Sequence, residues 1–307
     1  MGNSHIDRPS FRVSSEIREA LKKQLPVVAL ESTVFTHGLP YPENILLSSE
    51  MEAAIRKLGA VPATIAVIEG EIIVGASPDQ LELLARGEGT RKLSSRDLAS
   101  AIVKKESGGT TVAGTAFCAQ RAGIRVFATG GIGGVHRGIP FDISADLYQL
   151  SKTPVIVVCA GAKAILDLDA TIEILETLSI PVIGYQTGEF PAFYSIASGL
   201  KTAATAQSPE EVADIARRHW EIGMESAVLV VVPPPDNAAL PNEMVENAIR
   251  TALSSAESQG IRGQEVTPFL LERVSTLTSG ASLQSNLALL KNNARLAANI
   301  ANRLNLK

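Results

Sequence analysis

Cysteine is scarce: only Cys118 and Cys159 occur in 307 residues, each inside an apolar stretch. Their wide separation matches no zinc or thiol-redox spacing, which excludes a disulfide scaffold and reads as buried thiols of a reducing compartment. Positive charge is not in excess either, because 28 basic against 32 acidic side chains leave a formal charge of −4. That balance excludes a nucleic-acid-coating surface of clustered Lys and Arg, while a few local cations would still hold a small anion. Long apolar runs are missing as well. A stretch such as residues 155–162 falls well short of the roughly 20 residues of a membrane-spanning helix, so no membrane partner is expected. At the start, Met1-Gly2-Asn3-Ser4-His5-Ile6 carries Ile where a myristoylation signal wants Ser or Thr, and no apolar signal core follows. Asn305-Leu306-Lys307 is not a peroxisomal tripeptide. The expected location is intracellular and cytoplasmic, or an organelle if a targeting segment has been removed.

What is present is ordinary: 45% hydrophobic and 20% charged residues exclude disorder and collagen-like repeats. The length allows one large or two ordinary domains. Apolar runs at 27–31, 64–69, 71–74, 125–129, 155–159, 182–185 and 227–232 are continuous rather than alternating, as strands covered on both faces should be. Helical patterns lie between them. Leu47, Met51, Ile55 and Leu58 recur at helical spacing before a stop at Gly59, and Ser208-Pro209-Glu210-Glu211 supplies a cap, a first-turn proline and N-terminal acids. Residues 242–259 and 285–304 also read as helices. Such alternation predicts an α/β fold, a three-layer α/β/α sandwich with a mostly parallel central sheet. After Pro233-Pro234-Pro235 the remainder is helical and packs back on the sheet. One domain over 1–307 is expected, with 1–14 a flexible N-terminal arm. A TIM barrel would need eight regular βα units, which the uneven spacing does not supply.

Glu31 closes the apolar run Pro26-Val27-Val28-Ala29-Leu30 and precedes Ser32, Thr33 and a His37-Gly38 turn. Ligands of open α/β sheets collect at the C-terminal strand ends, where partial burial raises a carboxyl pKa until the group donates a proton near neutrality. A capped or ion-paired strand end would look the same. Lys163 follows an apolar strand that runs into small residues, and precedes Ala164-Ile165-Leu166. Desolvation favours a neutral amine, which forms a Schiff base with an aldehyde carbon; the alternative is a lysine that snorkels to water.

The segment Phe127-Ala128-Thr129-Gly130-Gly131-Ile132-Gly133-Gly134-Val135-His136-Arg137-Gly138 follows a strand. Its glycines free backbone N–H groups to point at an anion, and His136 and Arg137 add donors. It is neither a dinucleotide fingerprint nor a Walker A loop, which leaves phosphate or sugar-phosphate binding, or a tight structural loop. Next comes Phe141-Asp142-Ile143-Ser144-Ala145-Asp146-Leu147. Asp142 and Asp146 at i and i+4 would share one face of a helix, with Ser144 near its start. Oxygen ligands of this sort suit Mg²⁺ or Mn²⁺, and a solvated acidic face is the plainer reading. Lys92, in Arg91-Lys92-Leu93-Ser94-Ser95-Arg96-Asp97, is a phosphate clamp or a solvated basic turn. Thr110-Thr111-Val112 offers backbone groups to a base edge or begins a buried helix, and Asn286 reads an amide edge or caps the last helix.

Seven blocks in one order then carry a resemblance. Val27-Val28-Ala29-Leu30-Glu31-Ser32-Thr33, Gly59-Ala60-Val61-Pro62-Ala63-Thr64-Ile65-Ala66, the 127–138 and 142–147 segments, Val157-Val158-Cys159-Ala160-Gly161-Ala162-Lys163, Gly184-Tyr185-Gln186-Thr187 and Thr267-Pro268-Phe269-Leu270-Leu271 resemble the pseudouridine-5′-phosphate glycosidase family, also called indigoidine synthase A-like. The resemblance runs from about residue 15 to the C-terminus and is far more specific than any single motif. It implies reversible cleavage of the C–C glycosidic bond of pseudouridine 5′-phosphate to uracil and ribose 5-phosphate. Such a bond has no heteroatom leaving group to protonate, so the paired carboxylates of ordinary glycosidases would have little to act on. The resemblance implies instead that the ribose ring opens and Lys163 joins C1′ covalently, with Glu31 as proton donor. It further implies Asp142 as ligand of Mn²⁺ or another divalent cation, no nucleotide cofactor, and a homotrimer. Substrate contacts fall on Lys92, Val112, Ser144, Ala145 and Asp146, with Thr111 beside them and Asp146 also assisting proton transfer. Thr129, His136 and Arg137 extend this set as phosphate donors, and Asn286 as reader of the uracil edge. The short Ile139-Pro140-Phe141 segment departs from the family's longer loop, which bears on His136. The alternatives are a Schiff-base aldolase or lyase on another sugar phosphate, a non-catalytic sugar-phosphate sensor, and a pigment-pathway accessory role.

Overall fold

The structure, a computed structural model, describes residues 10–86, 89–138, 141–263 and 266–305. In chain order its strands are β1 (Phe11–Val13), β2 (Val27–Leu30), β3 (Val61–Ile68), β4 (Glu71–Val74), β5 (Arg91–Leu93), β6 (Gly108–Thr110), β7 (Val126–Ala128), β8 (Val135–His136), β9 (Ile156–Cys159), β10 (Leu166–Asp167), β11 (Val182–Tyr185), β12 (Ala204–Ala206) and β13 (Val228–Val231). Its α-helices are α1 (Ser15–Lys22), α2 (Thr33–His37), α3 (Glu43–Lys57), α4 (Pro78–Ala85), α5 (Leu98–Val103), α6 (Val112–Ala122), α7 (Ala145–Leu150), α8 (Leu168–Thr177), α9 (Pro209–Glu221), α10 (Asn242–Ser258), α11 (Val266–Leu277) and α12 (Ala281–Asn305).

The main sheet runs β1-β4-β3-β2-β7-β9-β13-β11-β12, with β6 also on β3 and β5 on β6. From β3 to β12 every neighbouring pair is parallel. Only β4 and β6 run antiparallel to β3. The sheet is open, with edges at β1 and β12, so the α/β sandwich holds and the barrel does not. Strands β2, β9 and β13 are buried at every position, which is what their unbroken apolar runs require when helices cover both faces. Helix α12 packs on β2, β7 and β9 and against α3 and α9, while α6 packs on α7 and on β2, β3 and β4. Helix α9 starts as its sequence demands: Ser208 Oγ accepts from the Glu211 N–H at 3.2 Å, and Pro209 follows the cap.

Three boundaries differ from expectation, and one is that α12 begins at Ala281, four residues before the expected start. Strand β3 begins at Val61 because Val61 and Pro62 pair with Val27 and Val28. The expected arm over residues 1–14 is ordered from Phe11 onward: Phe11–Val13 pairs parallel with Ile72–Val74, and Val13 is buried in the core. Residues 1–9 lie outside the described residues. Cys118 and Cys159 are both free and buried, and burial pushes both thiols up to about 12. Among the described residues no helix is long and apolar enough to cross a membrane.

Strand register positions the site. Leu30, Ala128 and Val158 stand level across β2, β7 and β9. Glu31 and Thr129 therefore leave the sheet side by side, and the chain beyond β9 turns back next to them.

Candidate active site

Glu31 emerges from a strand buried at all positions and is itself only 6% exposed. The Thr129 hydroxyl donates to its carboxylate. Burial pushes the Glu31 carboxyl above its usual range; the Lys163 charge and the Thr129 hydrogen bond oppose that shift without reversing it. A carboxyl of this kind keeps its proton closer to neutral pH and can donate it. The chain just beyond is pinned from below. Ser32 Oγ donates to the Ile65 carbonyl at 2.7 Å and accepts from the Thr110 N–H at 2.9 Å. Thr33 Oγ1 donates to the Gly109 carbonyl at 3.2 Å. Gly109 permits this approach, since a Cβ there would stand 2.4 Å from Thr36 Oγ1 and 2.9 Å from the Thr33 nitrogen.

Glu31, Lys92, Lys163, His37 and Asn286 line one narrow cavity of about 40 Å³, together with Gly130, Gly131 and Phe193. A wider cavity of about 480 Å³ shares His37, Pro268, Leu271 and Asn286 with its lining. Lys92 sits on β5 and its ammonium is pulled down to about 8, first by burial and then by the Lys163 charge, against the pull of Asp146 and Glu31. His37 is held below its usual range by burial and by Lys92, and its Nδ1 lies 2.6 Å from Thr36 Oγ1. The sequence thus places two lysines and two carboxylates in one electrostatic neighbourhood at the strand ends.

Asp146 is buried at the start of α7 and each carboxylate oxygen has a backbone donor. Oδ1 accepts from the Ala113 N–H and Oδ2 from the Gly133 N–H, both at 2.8 Å. It therefore ties the first turn of α6 to the glycine-rich loop, with Val112 buried beneath and Thr111 capping α6 through the Gly114 N–H. Ser144 caps α7, accepting from the Asp146 N–H at 3.2 Å, and Ala145 follows as the first helical residue. Asn286 shares α12 with Asn293, whose amide donates to the Thr129 carbonyl at 2.8 Å and fixes the helix over the site.

Several expectations are corrected here. Asp142 and Asp146 do not share a helix face, because α7 begins only at Ala145. Asp142 lies before it, its carbonyl accepting from the His136 N–H at 2.9 Å. The Thr129 hydroxyl is committed to Glu31 and is fully buried, so it is not a phosphate donor. Arg137 does not line the cavity that holds Glu31 and Lys163. Its Nε donates to the Leu166 carbonyl at 2.9 Å, Nη2 to the Ala164 carbonyl at 3.1 Å, and both terminal nitrogens to Glu246, at 2.8 and 2.9 Å. That pairing holds the Glu246 carboxyl below its usual range. The glycine-rich loop is close-packed against its neighbours. A Cβ on Gly131, Gly133 or Gly134 would meet Phe193 at 2.6 Å, Ser144 Oγ at 2.2 Å or Thr171 Oγ1 at 2.3 Å.

His136 is half-buried; burial lowers its imidazole below the usual range while the Asp142 charge opposes. Lys92 and Lys163 act on the same ring, so His136 and Asp142 border the cluster. Among the described residues no group of three or more His, Cys, Asp or Glu is arranged to hold a metal ion. Asp142 beside His136 offers at most one hard oxygen ligand, which fits only an ion that keeps most of its water. Ile139 and Pro140 of the short loop lie outside the described residues. Sequence reasoning missed His37, read only as part of a turn, and Asn293, whose spacing of seven from Asn286 places both on one face of α12.

The α/β fold thus brings a buried acid, Glu31, and a lysine, Lys163, into one strand-end cavity. Residues 16–303 match the sequence model of the family described as indigoidine synthase A like protein, and the chain belongs to that family. It is 53% identical over 300 residues to the pseudouridine-5′-phosphate glycosidase of Chloroflexus aurantiacus, covering 96% of this chain and 98% of that one. The enzyme of the same name from Caldanaerobacter subterraneus is 49% identical over 295 residues, covering 95% and 96%. Among solved structures, an indigoidine synthase A-like protein from Thermotoga maritima superposes with a TM-score of 0.90 at 36% identity, covering 100% of this chain and 99% of that one. The prealnumycin C-glycosynthase AlnA, solved with ribulose 5-phosphate, gives 0.90 at 38% identity, covering 97% and 98%.

Proposed function

We propose that this chain cleaves, reversibly, the C–C glycosidic bond of pseudouridine 5′-phosphate with water, giving uracil and ribose 5-phosphate. The observation that carries the reading is the shared cavity in which desolvated Glu31 faces Lys163. The names of relatives at about half identity support the substrate, and a neighbour solved with a pentose phosphate supports the class.

Glu31 donates its proton to the ribose ring oxygen as the C1′–O4′ bond breaks, and the Lys163 amine adds to C1′. The nitrogen lone pair then forms the imine while the C1′–C5 electron pair leaves with uracil and takes up a proton at C5. Water hydrolyses the imine, which frees ribose 5-phosphate and restores the lysine. Asp146, oriented by two backbone N–H groups, assists the proton transfers. Lys92, Thr111, Val112 and the Ser144–Asp146 run bind the substrate, His136 stands at the phosphate end, and Asn286 reads the uracil edge. A Mn²⁺ or similar hydrated cation on Asp142 would neutralise phosphate charge there. The chain acts as one domain and assembles as a homotrimer.

The test is uracil release from pseudouridine 5′-phosphate with Mn²⁺ added, and the reverse condensation. Failure in both directions refutes the reading. Borohydride during turnover should fix a sugar on wild-type enzyme and none on Lys163→Ala; a Lys163→Ala enzyme that still traps sugar would remove the covalent role.

A further inference from the structure

The nucleophile proposed above sits in a turn, and the turn is held from behind. The Ile132 N–H donates to the Gly161 carbonyl at 3.0 Å and the Lys163 N–H to the Ile132 carbonyl at 3.1 Å, which lays the approach to Lys163 against the glycine-rich loop. The Leu166 N–H then donates to the Lys163 carbonyl at 3.0 Å, closing a four-residue turn whose first residue is Lys163. Beyond it, β10 pairs antiparallel with β8, Leu166 opposite His136.

Two carbonyls of this turn, those of Ala164 and Leu166, accept from a side chain outside it. Both are taken by one side chain, Arg137, through Nη2 at 3.1 Å and Nε at 2.9 Å. The guanidinium is planar, so fixing two of its edges fixes its orientation. The remaining edge meets Glu246 of α10 in a fork, Nη1 to Oε2 at 2.8 Å and Nη2 to Oε1 at 2.9 Å. A hydrogen-bonded chain therefore runs from α10 through Glu246 and Arg137 to the backbone on either side of Ile165. A lysine could not replace this arrangement, because its ammonium has no planar fork to span two carbonyls and a carboxylate at once.

We infer that Arg137 and Glu246 are a positioning pair for the reaction proposed above: they hold the Lys163 turn so that the amine meets C1′ in line, without touching substrate themselves. The inference rests on the covalent role of Lys163 proposed above. Productive approach between reacting atoms tolerates little displacement, and misplacement of a nucleophile by about 1 Å costs on the order of 100-fold in rate. The pair also borders a separate cavity of about 450 Å³ lined by Arg137, Ala164, Ser195, Asn242 and Glu246. That cavity is large enough to admit a free guanidinium ion to the place that Arg137 fills.

The test compares wild type, Arg137→Ala, Arg137→Lys and Glu246→Gln for kcat, KM and the rate of borohydride trapping on Lys163. Arg137→Ala is expected to lose about 10- to 100-fold in kcat and in trapping rate with KM changed less than about threefold. Guanidinium ions at millimolar concentration, far below those that unfold proteins, should restore part of the kcat of Arg137→Ala. Arg137→Lys should remain as slow as Arg137→Ala, and Glu246→Gln should fall between wild type and Arg137→Ala because it keeps one acceptor. Wild-type kcat in Arg137→Ala, or a loss confined to KM, overturns the inference. Should Arg137→Ala fail to fold, Glu246→Gln decides: unchanged kcat and trapping overturn the inference, and a fall in both with KM preserved supports it. A wild-type enzyme that turns over but never traps sugar refutes the covalent role instead, independently of these variants.

Discussion

Replacing Gly133 by alanine should disrupt the substrate-binding run and its Asp146 while leaving Glu31 and Lys163 unaltered. A Cβ built on Gly133 would stand 2.2 Å from Ser144 Oγ, 2.6 Å from Ser144 Cβ and 2.7 Å from Asp146 Oδ2. The Ser144 hydroxyl can rotate away, but its Cβ cannot, so the loop and the start of α7 must separate. Separation breaks the 2.8 Å bond from the Gly133 N–H to Asp146. A hydrogen bond to a charged group is worth about 1.5–3 kcal/mol, and overpacking a filled site adds about 1–3 kcal/mol. Even about 3 kcal/mol in total would lower the melting temperature by roughly 6 °C in a chain of this size. The same displacement moves Ser144 and Asp146, so KM should rise with it. Scanning calorimetry and steady-state kinetics read both effects. The double variant Gly133→Ala/Ser144→Gly removes two of the three close contacts at little capping cost, about a few tenths of a kcal/mol, and should regain part of the loss. Gly188→Ala is the control, since nothing lies within 4 Å of its Cβ position. A Gly133→Ala protein that melts within about 1 °C of wild type with unchanged KM would show that the loop yields freely, and close packing would not be its role.

Two predictions concern pH. Burial raises the Glu31 carboxyl, so the folded chain holds this proton more tightly than the unfolded one. The associated stability is complete below the unfolded pKa and is lost as pH rises through the folded value, about 1.4 kcal/mol for each unit of elevation. Glu31→Gln keeps an acceptor for Thr129 and cannot ionise, so it should be inactive yet melt above wild type at pH 8, with the gap closing at pH 4; an equal gap at both would contradict the assignment. Lys92, at about 8, is cationic below that pH and neutral above it, so KM for the phosphorylated substrate should climb between pH 7.5 and 9 by roughly tenfold per unit once past the pKa. Lys92→Arg should flatten that rise, and an unchanged slope would remove Lys92 from the phosphate site.

The architecture was legible because it rests on local and periodic properties. Residues 155–159 and 227–232 are unbroken apolar runs, and β9 and β13 are buried throughout; the helix after Ser208 carries its own start signal. Glu31 and Lys163 were legible for a related reason, since a charged group directly after such a run lies at a strand end. Strand β1 was not. Three residues of alternating burial carry too little pattern to separate a short edge strand from a tail, and only its pairing with β4 defines it.

The misread residues share a different cause: their partners are far away in sequence or their context was locally inconsistent. Thr129 meets Glu31 across 98 positions and Arg137 meets Glu246 across 109, and no spacing rule reaches that far. A basic residue after a glycine-rich loop suggests an anion, yet the anion here is a carboxylate of the same chain. The Asp142–Asp146 pairing failed for a reason already contained in the segment itself. Ser144 is an N-cap, and a residue two places before an N-cap has left the helix; reading the cap strictly would have separated the two aspartates. Asp142 was then free to lie beside His136, and Asp146 to be fastened by the N–H groups of Ala113 and Gly133. The glycines carry the same lesson in another form. Glycine admits an anion or a neighbouring side chain equally well, and which it serves is decided by Phe193, Ser144 and Thr171, all brought in by topology. Chemistry is thus written in residue type and strand-end position, while the partner each group will use is written in the register of β2, β7 and β9.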